Sequence, residues 1–473
     1  MNDQTREDPS THGETRRAFL AKTAALGTAA LLTTHASARQ QRRAIPKAQS
    51  RVPLNEGETI RMGIIGVGGM GSAHASAIMG LAERGREKVH IVALCDVNDY
   101  KLDQVSPTAQ ARYEADLKAA RAAGFPEGEP APPKSNKQAC EDRQGITVDT
   151  YRSYHDVLAR DDIHGVLIAA PEHWHGTIAR DAIAAGKDVY VEKPMTLRLD
   201  DALHLREVVL ANPQVIFQVG TQYMMYPKYH EAKKLIASGA IGKPTFSQTS
   251  YCRNSLDGEW LYYAIDPAWK PGVNLDWKAW CGPLGPAPWD PEVYARWRRY
   301  RRYSTGIIGD LLVHQTTPLL MALDMGWPTR VVATGGHYLD KAMENHDQVN
   351  INVEFEGEHT LIIAGSTCNE TGLEPMIRGH EANLYLSSRH VVLRPEAKFA
   401  EDIDPETIEC PDIGDPQDQL RLNWLNCIRS REPAVSGIDL ATKMMVIVDL
   451  ATRSMWAGRA YEFLPDKMEA RAI

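Results

Sequence analysis

Between residues 59 and 219, short apolar runs alternate with stretches of helical spacing. The runs at 61–66 (R-M-G-I-I-G), 89–95, 163–170, 188–191 and 215–219 predict strands, and 72–84, 109–123, 177–185 and 200–211 predict helices. A Pro-, Gly- and charge-rich stretch at 124–144 reads as a surface insertion. Strands alternating with helices predict an α/β domain with a doubly wound parallel sheet. After about residue 222 the pattern changes. A helix at 229–238 and a strand at 245–251 lead into a long Trp- and Arg-rich segment at 254–304. An apolar helix at 307–325 follows, then strands at 330–334, 347–355, 359–365, 382–387 and 390–393, and a last helix at 417–430. Strands gathered this way predict an α+β domain with an open, largely antiparallel sheet. The expected division is therefore 59–222 and 223–473.

The first 58 residues follow neither pattern. Arg16-Arg17 precede Phe19-Leu20, an uncharged stretch at 23–34 follows, and Ala36-Ser37-Ala38 ends it. A charged region, a short apolar core and small exit residues predict a signal peptide at 1–38, similar to the twin-arginine export signal, with a basic linker at 39–58. The run is too short to span a bilayer stably. The expected location is periplasmic or otherwise exported, reached through the twin-arginine machinery.

Charge and cysteine usage narrow the partners. With 53 Lys+Arg against 61 Asp+Glu the formal net charge is −8, so no basic face for nucleic acid is implied. The 7 Cys are scattered without a C-x-x-C pair, which argues against a disulfide framework and a structural zinc site.

Gly66-Val67-Gly68-Gly69-Met70-Gly71 is G-x-G-x-x-G between a predicted strand and helix. Such a turn lets backbone approach a pyrophosphate at a helix N-terminus. Asp96 ends the next strand, placed to bond a ribose 2′-OH and repel a 2′-phosphate, and Val97-Asn98-Asp99 offers no Arg for that phosphate. NAD is expected rather than NADP.

Two further motifs follow predicted strands: Pro171-Glu172-His173-Trp174-His175 and Glu192-Lys193-Pro194. With the Gly-rich turn, Val219-Gly220-Thr221-Gln222, the 238–243 run S-G-A-I-G-K, Asp310-x-x-x-His314 and the closing helix at 423–429, they resemble the Gfo/Idh/MocA family over about residues 59–460. The resemblance implies a Rossmann domain, an open-faced sheet domain that pairs copies into a homo-oligomer, and oxidation or reduction of sugars, polyols or related carbonyls. It makes Lys193 the catalytic lysine, Asp310 its partner or a substrate contact, His314 the general acid/base, and Pro171, His175 and Glu192 cofactor neighbours. By spacing alone Asp310 and His314 share one helix face, where an exposed ion pair is the plainer reading; the family match reverses it. Leu312 stands where the family commonly has Gly, Ala170 where it has Thr, and Tyr223-Met224-Met225-Tyr226 where Arg-Arg-Phe is frequent.

Substrate-binding candidates are Trp174, Gln222, Arg253, Trp277 and Tyr303, with Arg299 and Tyr300 from the same aromatic stretch. His173 and His175 lack a carboxylate or Cys at a metal-binding spacing, so no metal is expected. The sequence leaves three functions open: a sugar or cyclitol dehydrogenase, an NAD-using glycoside hydrolase, and a non-catalytic binding protein, the last disfavoured by Lys193 and His314. Export to a compartment poor in free NAD further implies a tightly held cofactor, with the basic 39–51 linker as a candidate lid.

Overall fold

A computed structural model describes residues 45–123 and 129–473. The predicted signal at 1–38 and linker residues 39–44 lie outside the described residues. In chain order the first half holds β1 (Ile60–Ile65), α1 (Gly69–Glu83), β2 (Val89–Cys95), α2 (Pro107–Ala122), α3 (Asn136–Gln144) and β3 (Asp149–Tyr151). It continues with α4 (Tyr154–Leu158), β4 (Gly165–Ile168), α5 (Glu172–Ala184), β5 (Asp188–Val191), α6 (Leu199–Ala211) and β6 (Phe217–Val219). The strands form one parallel sheet ordered β3-β2-β1-β4-β5-β6. Its order reverses between β1 and β4, and ligands bind doubly wound sheets at the strand C-termini by such a switch point.

The stretch expected to be a surface insertion carries α3. Ser135 Oγ accepts the Gln138 amide, and Gly145 ends the helix with φ 66°. Both caps were readable in the sequence; the surrounding Pro and charge hid them.

The second half begins with α7 (Pro227–Ala237), β7 (Pro244–Cys252), α8 (Trp277–Cys281) and α9 (Pro291–Ala295). A π turn (Ile308–Leu312) opens α10 (Val313–Leu323). Strands β8 (Pro328–Gly336), β9 (Gln348–Phe355), β10 (Thr360–Ser366), β11 (Met376–Gly379), β12 (Ala382–Leu386), β13 (His390–Pro395) and β14 (Glu406–Glu409) follow. Last come α11 (Pro416–Ser430), α12 (Ile438–Ala457), β15 (Tyr461–Leu464) and β16 (Glu469–Ala472). The ten-stranded sheet runs β14-β13-β12-β11-β7-β10-β9-β8-β15-β16, antiparallel except for β7 beside β10. On β9 alternate residues Asn350, Asn352 and Glu354 are exposed while Val349, Ile351 and Val353 are buried, so the sheet packs one face and leaves the other open.

The expectation that the helix at 417–430 closes the chain is corrected. The 20-residue α12 follows it, almost wholly buried, and packs against β8 of the second sheet and α6 of the first half. Trp424, Leu420 and Leu425 of α11 join the core formed by β1 and α1, so the chain returns to the parallel sheet.

The lid expectation is corrected as well. The Gln49 amide donates to Ala184 O, Asn212 Oδ1 accepts the Ala48 amide, and His164 Nε2 meets Pro53 O. Residues 46–53 thus run along the N-terminal ends of β4 and β5, opposite the ligand crevice. Buried Asp188 anchors them, accepting from Arg51 at 3.4 Å and from the Ile216 amide and both Arg431 Nη atoms at 2.8 Å. Asp188→Ala strands two arginines at a buried site and should lower unfolding free energy by about 3 kcal/mol in urea titration; a loss within experimental error would contradict this anchoring.

Candidate functional site

The ends of β1, β2, β4 and β5 open on a cleft of 970 Å³. Gly66 turns the chain with φ 87°, and a Cβ there would lie 2.4 Å from Ala170 N; one on Gly71 would lie 1.9 Å from Gly66 O. Only glycine fits these two close approaches. Gly68 and Gly69 have nothing within 4 Å of a built Cβ, so the open side of the turn faces the cleft at the N-terminus of α1. That cradle fits a dinucleotide pyrophosphate. Met70 and Asp96 also line the cleft, whereas Val67 is buried and contributes its amide to Asp96 Oδ2 at 2.8 Å. Asp96 Oδ1 accepts the Asn98 amide, and burial raises this carboxyl above its usual value.

At the opposite wall stand Pro171, Trp174, His175, Glu192 and Lys193. Lys193 Nζ donates to Asp310 Oδ1 and Asp310 O, each at 3.0 Å, and Arg298 Nε donates to the same Oδ1 at 2.8 Å. Burial would raise the Asp310 carboxyl, but Lys193 and Arg298 hold it far below the usual range, so it stays ionised. His175 lies between the two strand-end loops, its Nδ1 2.7 Å from Pro194 O and its Nε2 2.7 Å from Ala170 O, and its one neutral-ring N–H donates to one of these carbonyls. Burial, the larger effect, lowers its pKa, and the two carbonyls oppose it. His173 bonds Trp280 O, and burial takes its pKa down to about 4.

Asp310 meets Lys193, as the resemblance implies, rather than forming an ion pair with His314. The π turn places four residues short of a full turn, and Asp310 is taken by Lys193 and Arg298. Leu312, at the family's Gly position, fits because it packs on Gly365 of β10, where a Cβ would lie 2.9 Å from Leu312 Cδ2. His314 is buried against the rings of Tyr223 and Tyr251, at 5.5 and 5.9 Å, with Nδ1 unpartnered among the described residues. Burial, then Lys193, bring its pKa down to about 3 despite Asp310. Gln222 begins a 3-10 turn packed on α10, and its Oε1 is also buried without a partner among the described residues.

The aromatic stretch divides. Trp174 lines the cleft, its Nε1 donating to Trp280 O at 3.0 Å. Trp277 and Tyr303 do not reach it: they are 8% and 4% exposed and pack with Trp280 and Cys281 behind the wall. Tyr300 joins that cluster, and Arg299 is locked on Asp340. Arg253 is held by Glu259 and by Tyr251 Oη. The sequence reading missed Arg298, Tyr223, Tyr251 and Trp280; in a run of arginines nothing marked 298 as the one turned inward.

Residues 263–298 strap the cleft. The Asp276 amide donates to Val97 O at 2.9 Å, the Asp99 amide to Asn274 O at 3.0 Å, and Asn98 Nδ2 to Tyr294 Oη at 2.9 Å. The loop after Asp96 is thereby latched to the segment whose Tyr263, Trp269, Trp280, Tyr294 and Trp297 line the cleft.

Residues 131–221 match the Gfo/Idh/MocA oxidoreductase family's NAD-binding Rossmann fold, and residues 287–463 match its C-terminal alpha/beta domain. The inositol 2-dehydrogenase/D-chiro-inositol 3-dehydrogenase of Lactiplantibacillus plantarum is 27% identical over 194 residues, 40% of this chain and 43% of that one. A glycosyl hydrolase family 109 protein of Saccharopolyspora erythraea is 28% identical over 279 residues, 58% of this chain and 53% of that one. The chain thus spans about half the length of the curated relatives it matches. The structure of a levoglucosan dehydrogenase with NADH and levoglucosan superposes with TM-score 0.58 at 18% identity, over 85% of this chain and 99% of that one, a likeness of fold.

The depressed His314 pKa has a measurable consequence. The unfolded chain takes up a proton on this ring near pH 6.5, whereas the folded site resists it down to about 3. Its contribution to stability is present above pH 6.5 and is lost as pH falls toward 3. Unfolding free energy should therefore fall less steeply between pH 6.5 and 4.5 in His314→Gln than in wild type. Equal slopes would contradict a buried neutral ring.

Proposed function

This chain belongs to the Gfo/Idh/MocA oxidoreductase family, and from that premise we propose that it is an NAD-dependent oxidoreductase acting on a CH–OH group of a sugar or cyclitol. The observation that carries the reading is Lys193, set by Asp310 at the end of β5 and facing the cleft that the glycine turn opens. When bound, NAD supplies the hydride acceptor. The amides around Gly68 and Gly69 hold its pyrophosphate, and Asp96 holds the adenosine ribose while its charge disfavours a 2′-phosphate. Lys193 uses two N–H groups on Asp310 and keeps a third for the substrate oxygen, where an ammonium stabilises developing alkoxide charge. His314, kept neutral, takes the hydroxyl proton. Trp174 and Arg298 border the space left for substrate.

The strap supports a cofactor that stays bound, and the A-x-A and twin-arginine features of residues 15–38 support export of the loaded, folded protein. Among the described residues no helix is long and apolar enough to cross a membrane. The open face of the second sheet is the surface we assign to a homo-oligomer. A second reading, glycoside hydrolysis by transient oxidation, elimination, hydration and re-reduction, draws on the 279-residue alignment with a glycosyl hydrolase family 109 protein. Release of aglycone from aryl glycosides without added NAD separates it from net oxidation.

Lys193→Ala should leave folding intact and lower turnover at least ~100-fold; half of wild-type turnover would remove Lys193 from the chemistry. Protein freed of small molecules by gel filtration and then denatured should release nicotinamide dinucleotide near one per chain. An empty protein that works only with added NAD would contradict a retained cofactor.

A further inference from the structure

Behind the strand end that carries Lys193, three buried side chains from distant parts of the chain form one hydrogen-bonded row. Glu192 lines the cleft, and its Oε1 meets His74 Nε2 at 2.8 Å. His74 stands on α1, just past the glycine turn, and its Nδ1 accepts from Arg421 Nε at 2.9 Å. Arg421, on α11, also donates to Asp418 Oδ1 at 2.7 Å. His74, Arg421 and Glu192 are 0%, 3% and 5% exposed. Tyr190 packs edge-on against His74, and Trp424 against Tyr190.

Elementary hydrogen-bond chemistry places the protons. A guanidinium donates and never accepts, so Nδ1 of His74 presents a lone pair and the ring N–H lies on Nε2, aimed at Glu192. His74 is therefore neutral. Arg421 spends its charge on Asp418, away from the cleft. An arginine directly on Glu192 would cancel its charge; a neutral imidazole between them orients the carboxylate and leaves the charge in place. Burial acts to raise the Glu192 carboxyl, yet the His74 hydrogen bond and nearby charges bring it below its ordinary value.

We propose that Arg421 and His74 are positioning residues that hold Glu192 as an oriented carboxylate on the cleft wall, where its charge favours the oxidised, cationic nicotinamide ring over the neutral reduced one. The inference rests on the NAD reading of the cleft. It assigns a task to the glutamate beside the lysine and links it to a helix from the far end of the chain.

The test is the reduction potential of the bound nicotinamide couple, followed by its near-ultraviolet absorbance against redox dyes. Glu192→Gln should shift the relative affinity for the two forms about tenfold toward the reduced one, raising the potential by about 30 mV for a two-electron couple. Arg421→Met should move the potential the same way in the wild-type background and not at all in the E192Q background, which a merely structural role would not produce. His74→Gln keeps an N–H for Glu192 and should stay near wild type, while His74→Leu should shift like Arg421→Met. An unchanged potential in Glu192→Gln, or an equal Arg421→Met shift in both backgrounds, would overturn the inference. A protein that binds no nicotinamide couple would overturn the cofactor reading itself and the inference with it. Glu192→Gln together with the contrast between His74→Gln and His74→Leu decides the matter should Arg421→Met fail to fold.

Discussion

One carboxylate oxygen carries two cations. Asp310 Oδ1 receives Lys193 from the end of β5 and Arg298 from the strap, while the Asp310 backbone belongs to the turn that opens α10. Such a group is costly to bury alone, and here two cations offset that cost. Three separate stretches of chain are therefore fixed at one point: the parallel sheet, the helix under the second sheet, and the segment that covers the cleft. Losing Asp310 leaves both cations without their shared counterion, so the three stretches meet through this one carboxylate.

The π turn makes this meeting possible. Asp310 lies in that turn and meets Lys193, and Leu312 packs against Gly365 of β10. His314 is then left among aromatic rings, neutral, with Nδ1 unpartnered among the described residues. Arg298 lies against Trp297, with its guanidinium carbon 4.2 Å from the ring centre, so the strap's aromatic surface and the Asp310 charge are joined through one residue. Cover over the cleft and geometry at the reacting end are coupled for this reason.

The parallel sheet was legible in the sequence because its strands are buried on both faces and read as unbroken apolar runs, punctuated by a glycine turn whose spacing has steric causes. The second sheet was legible in part. Short edge strands such as β14, with the sequence E-T-I-E, carry too little apolar signal to be seen. α12 was not among the predicted elements although its composition is strongly helical, because the helix at 417–430 was expected to be the last. The site was legible where motif and strand end coincide, at Gly66, Asp96 and Lys193. It was not legible where tertiary packing decides, since nothing local distinguishes Trp277, turned into the wall, from Trp280, which lines the cleft. The pairing of Asp310 with Lys193 was implied by the family resemblance, whereas its second cation, Arg298, is brought in by tertiary packing that residue spacing does not announce.

Peptide-resolved hydrogen exchange on Asp310→Asn, compared with the wild-type protein, tests most directly whether one carboxylate oxygen joins these parts. Faster exchange should appear together across the strap at 263–298, the Glu192–Pro194 loop and the turn at 308–314, with the outer strands of both sheets unchanged. A rise confined to 308–314 would contradict the account, because the strap and the lysine loop would then be held by other means.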